Sequence, residues 1–285
     1  MRGTVLLLGD TGKVGTAVKA AMGPRTTVIG ANTRTLDASN LSAVEALVDD
    51  VRPDAVINCA AFMGVENCEK DPEKAFRLNV MMPRVLAQKS DRMGFKLVHF
   101  SSESVFSGKK RDFHGESDTP DPINVYGLTK YMADLVVQSA TERHFVFRIP
   151  VQFGFSAKNN QLLERLIDKV RGGEQALRVA DDLITSPTYS DDVATVVRAA
   201  LEGEIAYGLY HVTNSGSASL HELVSAALEV LGYRATVERA SYRDFPMTAK
   251  LHDVTPLRQE KLPAMRHWRD ALVAYCARMQ LNYAA

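Results

Sequence analysis

The sequence predicts an α/β fold in which helices cover both faces of a parallel β-sheet. Through the first half, short apolar runs alternate with longer helical stretches. Most of the short runs are continuously apolar, which is typical of strands buried on both faces. A glycine-rich turn directly follows the first run. Alternation of this kind implies right-handed βαβ units, and hence a doubly wound sheet.

Five short runs are the predicted strands, namely residues 5–8, 26–29, 55–58, 97–100 and 145–149. The predicted helices between them cover residues 13–22, 41–51, 72–90 and 125–141. The third helix has the clearest start signal. Asp71 suits the N-cap, and Pro72 suits the first helical position, where its missing N–H costs nothing.

The second half of the chain is less regular. Its predicted helices cover residues 160–170, 190–201, 220–231 and 268–279, and its predicted strands cover residues 209–212 and 236–238. No repeat or long linker separates the halves, so we expect two lobes wrapped together. The larger lobe comprises residues 1–150, with about 181–204 returning to it. The smaller lobe comprises about 151–180 and 205–285.

Composition excludes several classes of protein. The chain has 34 basic and 34 acidic residues in 285, and nucleic-acid binding requires a basic face. Three cysteines without a CxxC pair fit a cytoplasmic protein better than a disulfide framework. The first apolar run is too short for a signal peptide or membrane span. Seven scattered histidines lack ligand spacing, so no metal is expected.

The glycine-rich turn has the pattern GxxGxxG, from Gly9 to Gly15, and not the more common GxGxxG. Glycines let the backbone approach a pyrophosphate, whose charge is stabilised by N–H groups at the helix N-terminus. The same pattern also describes a simple tight turn. Its position between a strand and a helix favours dinucleotide binding.

Two residues after the second predicted strand are candidates for the adenosine end of a dinucleotide. Arg34 either pairs with a 2′-phosphate or is a solvated loop residue. Asp37 is either an adenine-side contact or a turn residue. No acidic residue closes the second strand to bind a ribose 2′-hydroxyl. The sequence therefore favours NADPH, with NADH as the alternative.

Tyr126 and Lys130 form the most informative motif. Residues at i and i+4 project from the same face of a helix, and a nearby ammonium favours the phenolate. We therefore expect Lys130 to lower the pKa of Tyr126 and to make it a general acid for a carbonyl oxygen. Ser102, at a strand end upstream, can donate a hydrogen bond to the same oxygen. Together, the strand-end serine, the Tyr126 and Lys130 pair and the glycine-rich turn predict a hydride-transfer enzyme.

With these motifs the chain resembles the extended short-chain dehydrogenase/reductases, and more narrowly the dTDP-4-dehydrorhamnose reductase family. The resemblance covers nearly the whole length. Its motifs are residues 9–15, 52–62, 78–80, 98–110, 124–130, 147–149, 186–192 and 244–246. It implies a Rossmann-type nucleotide-binding domain with a smaller C-terminal substrate-binding lobe, and a nucleotide-sugar substrate. A homodimer is the candidate assembly.

The resemblance also implies roles for individual residues. Ser102, Tyr126 and Lys130 would be the catalytic set and would contact the ligands. The implied cofactor contacts are Gly9, Thr11, Gly12, Lys13, Val14, Gly15, Asp37, Ala38, Ala60, Ala61, Phe62 and Ile149. Val65 and Glu103 would contact the sugar. Phe62 and Val65 equally suit core positions, and Asn79 suits a brace for the backbone beside the site.

Departures from the family pattern cluster on the substrate side. The family usually has Ser-Thr-Asp-Tyr-Val-Phe at residues 101–106, where this chain has Ser-Ser-Glu-Ser-Val-Phe. Ser102 keeps the hydroxyl and Glu103 keeps the carboxylate, but Ser104 removes a tyrosine from the sugar side. Val151 stands where the family has a tryptophan that covers the sugar. Hydride transfer is thus better supported than any particular sugar.

Three classes of function remain. The first is a reductase acting on the keto group of a nucleotide-linked 4-keto-6-deoxysugar. The second is a nucleotide-sugar epimerase or dehydratase with tightly bound NAD. Ser104 stands where dehydratases have a second carboxylate, which argues against elimination. The third is a non-catalytic NADP-binding regulatory subunit, although a scaffold does not need the intact Ser102, Tyr126 and Lys130 set.

Overall fold

The computed structural model describes residues 3–157 and 161–284. Strands and helices alternate through its first half, in the order β1 Gly3–Leu8, α1 Lys13–Ala21, β2 Thr26–Ala31, α2 Leu41–Val51, β3 Ala55–Asn58, α3 Val65–Lys70, α4 Pro72–Phe76, α5 Met82–Met93, β4 Lys96–Ser102, α6 Val125–Ala140 and β5 His144–Ile149. A π-helical segment, Arg77–Met81, joins α4 to α5, and a 3₁₀ turn, Glu103–Val105, follows β4.

The second half contains shorter elements. They are β6 Gln152–Phe153, α7 Leu162–Arg171, β7 Ala176–Ala180, β8 Ile184–Thr185, β9 Thr188–Tyr189, α8 Ser190–Glu202, β10 Gly208–His211, β11 Asn214–Ser215, β12 Ala218–Ser219, α9 Leu220–Leu231, β13 Thr236–Ala240, β14 Met265–His267 and α10 Trp268–Ala284. The predicted helix 160–170 begins at Leu162, and residue 160 lies outside the described residues. No helix in the described ranges is long and apolar enough to cross a bilayer.

Six parallel strands form the central sheet in the order β2-β1-β3-β4-β5-β10. The predicted doubly wound sheet is confirmed. Strand order reverses between β1 and β3, and in open α/β sheets ligands bind beyond the carboxyl ends of the strands at such a point. The glycine-rich turn and residues 59–62 follow these two strands.

The boundary at residue 205 is wrong for β10. Gly208–His211 pairs with β5 as the sixth strand of the sheet, whereas the sequence-based division places it in the smaller lobe. The short run after α8 completes the parallel sheet, because its backbone groups bond to the otherwise open edge of β5. The rest of the division into lobes stays a prediction.

The two faces of the sheet pack against different helices. Leu7 of β1 faces the core formed with α1 and α8, and Leu6 faces the core formed with α2, α5 and α6. Both side chains are fully buried. This double burial explains the continuous apolar runs in the sequence. β2 lies at the edge, where its first five residues alternate between partial burial and exposure.

A separate cluster joins α7, α9 and α10 around Phe153, Tyr189, Trp268 and Tyr275. Phe153 and Tyr189 stack with ring centroids 5.5 Å apart, and Trp268 is 2% exposed. Lys13 connects this cluster to the sheet. Its ammonium donates to the Gln152 carbonyl at 2.7 Å and lies 3.6 Å from the Glu164 carboxylate on α7.

Candidate active site

The glycine-rich turn has the geometry of a pyrophosphate cradle. Gly9 has φ +81°, and a Cβ on Gly15 would lie 2.3 Å from the Gly9 carbonyl oxygen. A Cβ on Gly12 would meet only the Gly9 carbonyl oxygen, at 3.5 Å. Gly12 begins α1 without a side-chain cap, so N–H groups of the first turn, from Lys13 to Gly15, remain for an anion. These residues fit a dinucleotide.

The structure gives Lys13 a different environment from the one expected. Its ammonium is held by Gln152 and Glu164, and burial lowers its pKa. The backbone N–H of Lys13, together with Val14 and Gly15, belongs to the cradle. The Thr11 carbonyl accepts a hydrogen bond from Ser156, which ties the turn to the segment after β6.

Arg34, Asp37 and Ala38 lie beyond the carboxyl end of β2. Arg34 is exposed, and its backbone N–H donates to the Asn32 side chain at 3.0 Å. Asp37 accepts from the backbone and hydroxyl of Ser39, and these hydrogen bonds lower its pKa. The turn role of Asp37 is therefore visible, and its adenine contact stays a prediction.

The segment after β3 is braced by Asn79, which lies in the π-helical segment. The Asn79 amide oxygen accepts from the Phe62 N–H at 2.8 Å, and its nitrogen donates to the Phe62 carbonyl at 3.0 Å. The same nitrogen contacts the Thr129 hydroxyl on α6 at 3.1 Å. Asn79 thus braces the backbone beside the site, as expected, and fixes Ala60, Ala61 and Phe62 relative to α6.

The N-terminus of α6 lies directly against the 3₁₀ turn. A Cβ on Gly127 would lie 2.0 Å from the Ser104 carbonyl oxygen, so only glycine permits this approach. Asn124 caps the helix by accepting from the Gly127 N–H at 2.8 Å. Its amide nitrogen donates to the Lys250 carbonyl at 2.9 Å. This packing brings Tyr126 beside Ser102.

Lys130 is buried beneath Tyr126 on the same helix. It is 3% exposed, and its ammonium donates to the Phe100 carbonyl on β4. Burial lowers the pKa of Lys130 to about 8, while the nearby Asp134 carboxylate opposes that shift. The catalytic trio expected from the sequence is therefore brought together at the carboxyl end of β4.

The direction of the Tyr126 pKa shift is opposite to the one expected. Burial raises the pKa of Tyr126 to about 12, and the hydrogen bond with Ser102 only partly opposes this effect. Desolvation of the phenolate is the largest cause of this shift, and the neighbouring Glu103 carboxyl adds to it. Tyr126 consequently keeps its proton at neutral pH, which suits a general acid.

Sequence reasoning did not assign His252 to this site. The Ser102 and Ser104 hydroxyl oxygens lie 3.1 Å apart, and the Ser104 hydroxyl lies 3.3 Å from His252 Nε2. His252 is 148 residues from Ser104 in sequence, and no local pattern connects them. Asn124 was detectable, because an asparagine directly before a helical stretch is a good N-cap.

The other expected sugar contacts lie around this group. Glu103 is 4% exposed, and its carboxyl accepts from the Thr185 hydroxyl of β8 at 2.5 Å. Burial raises the pKa of Glu103 to about 8. Val65 begins α3, and Ile149 ends β5 directly beside Ser102. Contacts of these residues with ligands stay predictions.

Replacing Glu103 with glutamine is expected to stabilise the protein at neutral pH. Glutamate ordinarily has a pKa near 4.5, and the folded protein raises it to about 8. Between these values the folded state binds more protons than the unfolded state, so wild-type stability falls as pH rises. Glu103→Gln removes that loss and should raise the free energy of unfolding by about 4 kcal/mol at pH 8.

Urea unfolding of both proteins at pH 5 and pH 8 measures this difference. The gap between variant and wild type should widen from pH 5 to pH 8. Glu174→Gln provides the matched control, because Glu174 is exposed. A gap that stays constant with pH would show that Glu103 is ionised in the folded protein.

Comparison with known proteins decides the family. The model for the family described as RmlD substrate binding domain matches residues 1–281 of the chain. The chain belongs to this family. RmlD family members are NAD(P)-dependent reductases of the extended short-chain dehydrogenase/reductase type, which confirms the predicted enzyme class.

Individual relatives support the assignment. Spore coat polysaccharide biosynthesis protein SpsK of Bacillus subtilis is 29% identical over 252 residues, covering 87% of each chain. dTDP-4-dehydrorhamnose reductase of Salmonella typhimurium is 29% identical over 233 residues, covering 79% of this chain and 77% of that protein. The structure of dTDP-4-dehydrorhamnose reductase from Bacillus anthracis in complex with NADP has a TM-score of 0.91 at 26% identity. The superposition covers 98% of this chain and 100% of the Bacillus anthracis chain.

These similarities also confirm the expected cofactor class. NADPH is the cofactor supported for the RmlD family, and the uncapped glycine-rich turn of this chain fits a dinucleotide. Within the described residues, no three His, Cys, Asp or Glu side chains form a group that could hold a metal ion.

Proposed function

We propose that this RmlD family member uses NADPH to reduce the keto group of a nucleotide-linked 4-keto-6-deoxysugar, with dTDP-4-dehydrorhamnose as the leading candidate. The observation that supports it best is the convergence of Ser102, Tyr126 and Lys130 at the end of β4. Relatives named dTDP-4-dehydrorhamnose reductase support the sugar class. Three unpaired cysteines fit the proposed cytoplasmic location.

The residues of this chain have separate tasks in that reaction. NADPH, when bound, supplies the hydride. Tyr126 gives its proton to the carbonyl oxygen as negative charge develops there, and Ser102 donates a hydrogen bond to the same oxygen. The Lys130 ammonium stabilises the tyrosinate that remains. Backbone N–H groups from Lys13 to Gly15, at the start of α1, would hold the pyrophosphate of the cofactor.

A panel of nucleotide-linked sugars tests the proposal directly. Purified protein is mixed with NADPH and 4-keto-6-deoxy sugars carrying dTDP, UDP, GDP or CDP, and absorbance of the reduced cofactor is followed. We expect oxidation of NADPH with at least one of them, most rapidly with dTDP-4-dehydrorhamnose. Absence of oxidation with every sugar would refute the reductase.

The epimerase alternative makes a different prediction for the same protein. An epimerase keeps NAD tightly bound and returns the hydride to its own substrate. The purified protein would then contain NAD, and added keto sugar would not change its redox state over repeated turnovers. Mass spectrometry of the cofactor released on denaturation distinguishes the two.

Arg34 is expected to select NADPH over NADH. Its exposed side chain follows β2, where a guanidinium can pair with a 2′-phosphate, and Asn32 in place of a carboxylate avoids repelling it. Arg34→Ala should weaken NADPH binding about tenfold and leave NADH binding within about twofold. Titration of cofactor fluorescence measures both. Arg25→Ala, an exposed arginine before the opposite end of β2, is the matched control.

We also propose that the protein forms a homodimer through α6. Leu128 and Leu135 are 40% and 50% exposed and lie one heptad apart on the same face of this helix. Exposed leucines at this spacing are typical of helix–helix interfaces. Light scattering after size-exclusion chromatography measures the mass, and Leu135→Lys should shift a dimer towards the 31.3 kDa monomer.

A further inference from the structure

Three buried charged side chains lie beyond the phenol of Tyr126. Tyr126, Lys130 and Asp134 follow one another at intervals of four residues on α6, so they share one face of the helix. The Asp134 carboxylate accepts from Arg148 Nε of β5 at 2.9 Å. All three charged side chains are at most 3% exposed. The interior next to the catalytic tyrosine therefore contains a lysine, an aspartate and an arginine in succession.

Stability alone does not explain the ion pair between Asp134 and Arg148. Removing a carboxylate and a guanidinium from water costs free energy that their mutual attraction often fails to recover, and apolar residues of similar volume often stabilise a fold as well or better. The Arg148 guanidinium also lies 5.4 Å from the centroid of the Phe106 ring, a packing contact that an apolar side chain could replace. Apolar residues could not replace the negative charge of Asp134.

Arg148 favours the ionised form of the Asp134 carboxyl. Burial raises the pKa of Asp134, while the charge and hydrogen bond of Arg148 and the nearby Ser101 hydroxyl oppose that shift. A guanidinium stays protonated in proteins, so a neutral Asp134 would leave a buried cation without its counter-ion. Because an unpaired buried cation is more costly than a buried ion pair, we expect the ionised form of Asp134 at neutral pH.

The charge of Asp134 acts on the Lys130 ammonium. Burial lowers the pKa of Lys130 to about 8, and the Asp134 carboxylate is the largest influence that opposes this shift. The ammonium itself donates to the Phe100 carbonyl, which is a neutral acceptor. Two charges one helical turn apart interact more strongly in the protein interior than in water. Without Asp134, Lys130 would therefore lose its proton at a lower pH.

The other titratable groups around this ammonium are neutral near pH 7. Burial raises the pKa of Cys59, which follows β3, and raises the pKa of Cys68 on α3 to about 11. Burial likewise raises the pKa of Tyr126 to about 12. On β4, burial and the nearby ammonium hold the pKa of His99 well below its ordinary value. The negative charge that stabilises the ammonium at pH 7 therefore comes from Asp134.

We propose that Asp134, held ionised by Arg148, is a positioning residue that keeps the Lys130 ammonium protonated at neutral pH and thereby sets the upper pH limit of turnover. The inference rests on the proposed reductase function, in which a protonated Lys130 stabilises the tyrosinate left after proton transfer. Asp134 contacts neither the cofactor nor the sugar in this role, because it acts only through Lys130. The proposal adds no covalent step to the reaction.

Carbon-13 NMR of lysine-labelled protein measures the charge of Lys130 without turnover, with its Cε signal identified by its loss in Lys130→Met. The wild-type titration midpoint should lie at about pH 8. Asp134→Asn should lower this midpoint by about one pH unit or more. The double variant Asp134→Leu/Arg148→Met should lower it too, and it leaves no unpaired buried cation if Asp134→Asn fails to fold. Asp134→Glu keeps the carboxylate, and Asp91→Asn replaces an exposed carboxylate on α5, so both should leave the midpoint within about half a pH unit.

Turnover with NADPH and the sugar that the wild type reduces connects this charge to catalysis. Asp134→Asn and the double variant should reduce kcat about tenfold at pH 8 and remain within about twofold of wild type at pH 6, where Lys130 is protonated in every variant. An equal loss of kcat at both pH values, or an unchanged Lys130 midpoint in a folded variant without Asp134, would overturn the proposal. A wild type that reduces none of the sugars would instead refute the proposed function, and the Lys130 titration would still decide the role of Asp134.

Discussion

Tyr126→Phe is expected to reduce turnover at least a thousandfold and to leave cofactor affinity nearly unchanged. Tyr126 is hydrogen-bonded to Ser102, which places the phenol proton for transfer to a carbonyl oxygen held beside that hydroxyl. General acid catalysis of this kind contributes about 10²–10⁴ in rate. Phenylalanine keeps the ring, so the packing of α6 against the 3₁₀ turn should survive. Stopped-flow measurement of NADPH oxidation gives the rate.

Tyr131→Phe is the matched control for this variant. Tyr131 lies on the same helix and packs against the cluster of Val105, Phe106 and Leu257. It should retain wild-type turnover. If Tyr126→Phe kept more than a tenth of the wild-type kcat, another group would be the acid.

Lys130→Met is expected to abolish turnover and at the same time to stabilise the protein. Lysine ordinarily has a pKa near 10.5, and burial lowers the pKa of Lys130 to about 8. Keeping an ammonium at this position therefore costs on the order of 3 kcal/mol of folding free energy at pH 7. The methionine variant recovers this cost but loses the hydrogen bond to the Phe100 carbonyl. We expect a net gain in the free energy of unfolding of about 1–2 kcal/mol.

The pH dependence of the stability difference between Lys130→Met and wild type distinguishes removal of a buried charge from improved packing. Between pH 8 and 10.5 the unfolded chain binds the Lys130 proton more readily than the folded protein. Wild-type stability should therefore rise relative to the methionine variant through this range, and the difference should be constant below about pH 8. Unfolding by urea at pH 7, 8 and 9.5 measures it. A difference that does not shrink by pH 9.5 would contradict the charge-burial account.

Lys169→Met controls for the loss of one lysine. Lys169 is exposed on α7. Its replacement should therefore leave both turnover and the pH dependence of stability unchanged. Loss of activity in Lys130→Met with normal NADPH binding would assign the lysine to the proton-transfer step.

The parallel sheet was predictable because each strand of its centre is buried on both faces. Leu6 and Leu7 belong to cores on opposite faces of the sheet. Because both faces of the strand must be apolar, the sequence has an uninterrupted apolar run there. β10 was assigned to the wrong lobe because pairing with β5 is a long-range contact without a local signal. α3 was missed because six residues beginning after Gly64 carry too little periodicity.

The convergence of Ser102, Tyr126 and Lys130 was predictable because two of these residues share one helix face. Tyr126 and Lys130 are separated by one turn, and the hydroxyl of Ser102 follows a recognisable strand. The pKa of Tyr126 was not predictable, since burial depends on every element packed around the ring. The same holds for His252, which reaches the site from the far end of the chain, and for Lys13, whose partner Glu164 lies on α7.

The Asn124 side chain makes two hydrogen bonds, which couple the first turn of α6 to the segment around residue 250. One amide group both accepts the Gly127 N–H and holds the Lys250 carbonyl. Any excursion that lifts residue 250 away from α6 therefore loosens the first turn of the helix that carries Tyr126. Amide hydrogen exchange at Gly127 would report such excursions, and its protection would register how often the catalytic geometry is interrupted. The equilibrium population of these open states sets an upper limit on the fraction of molecules in which Tyr126 is held beside Ser102.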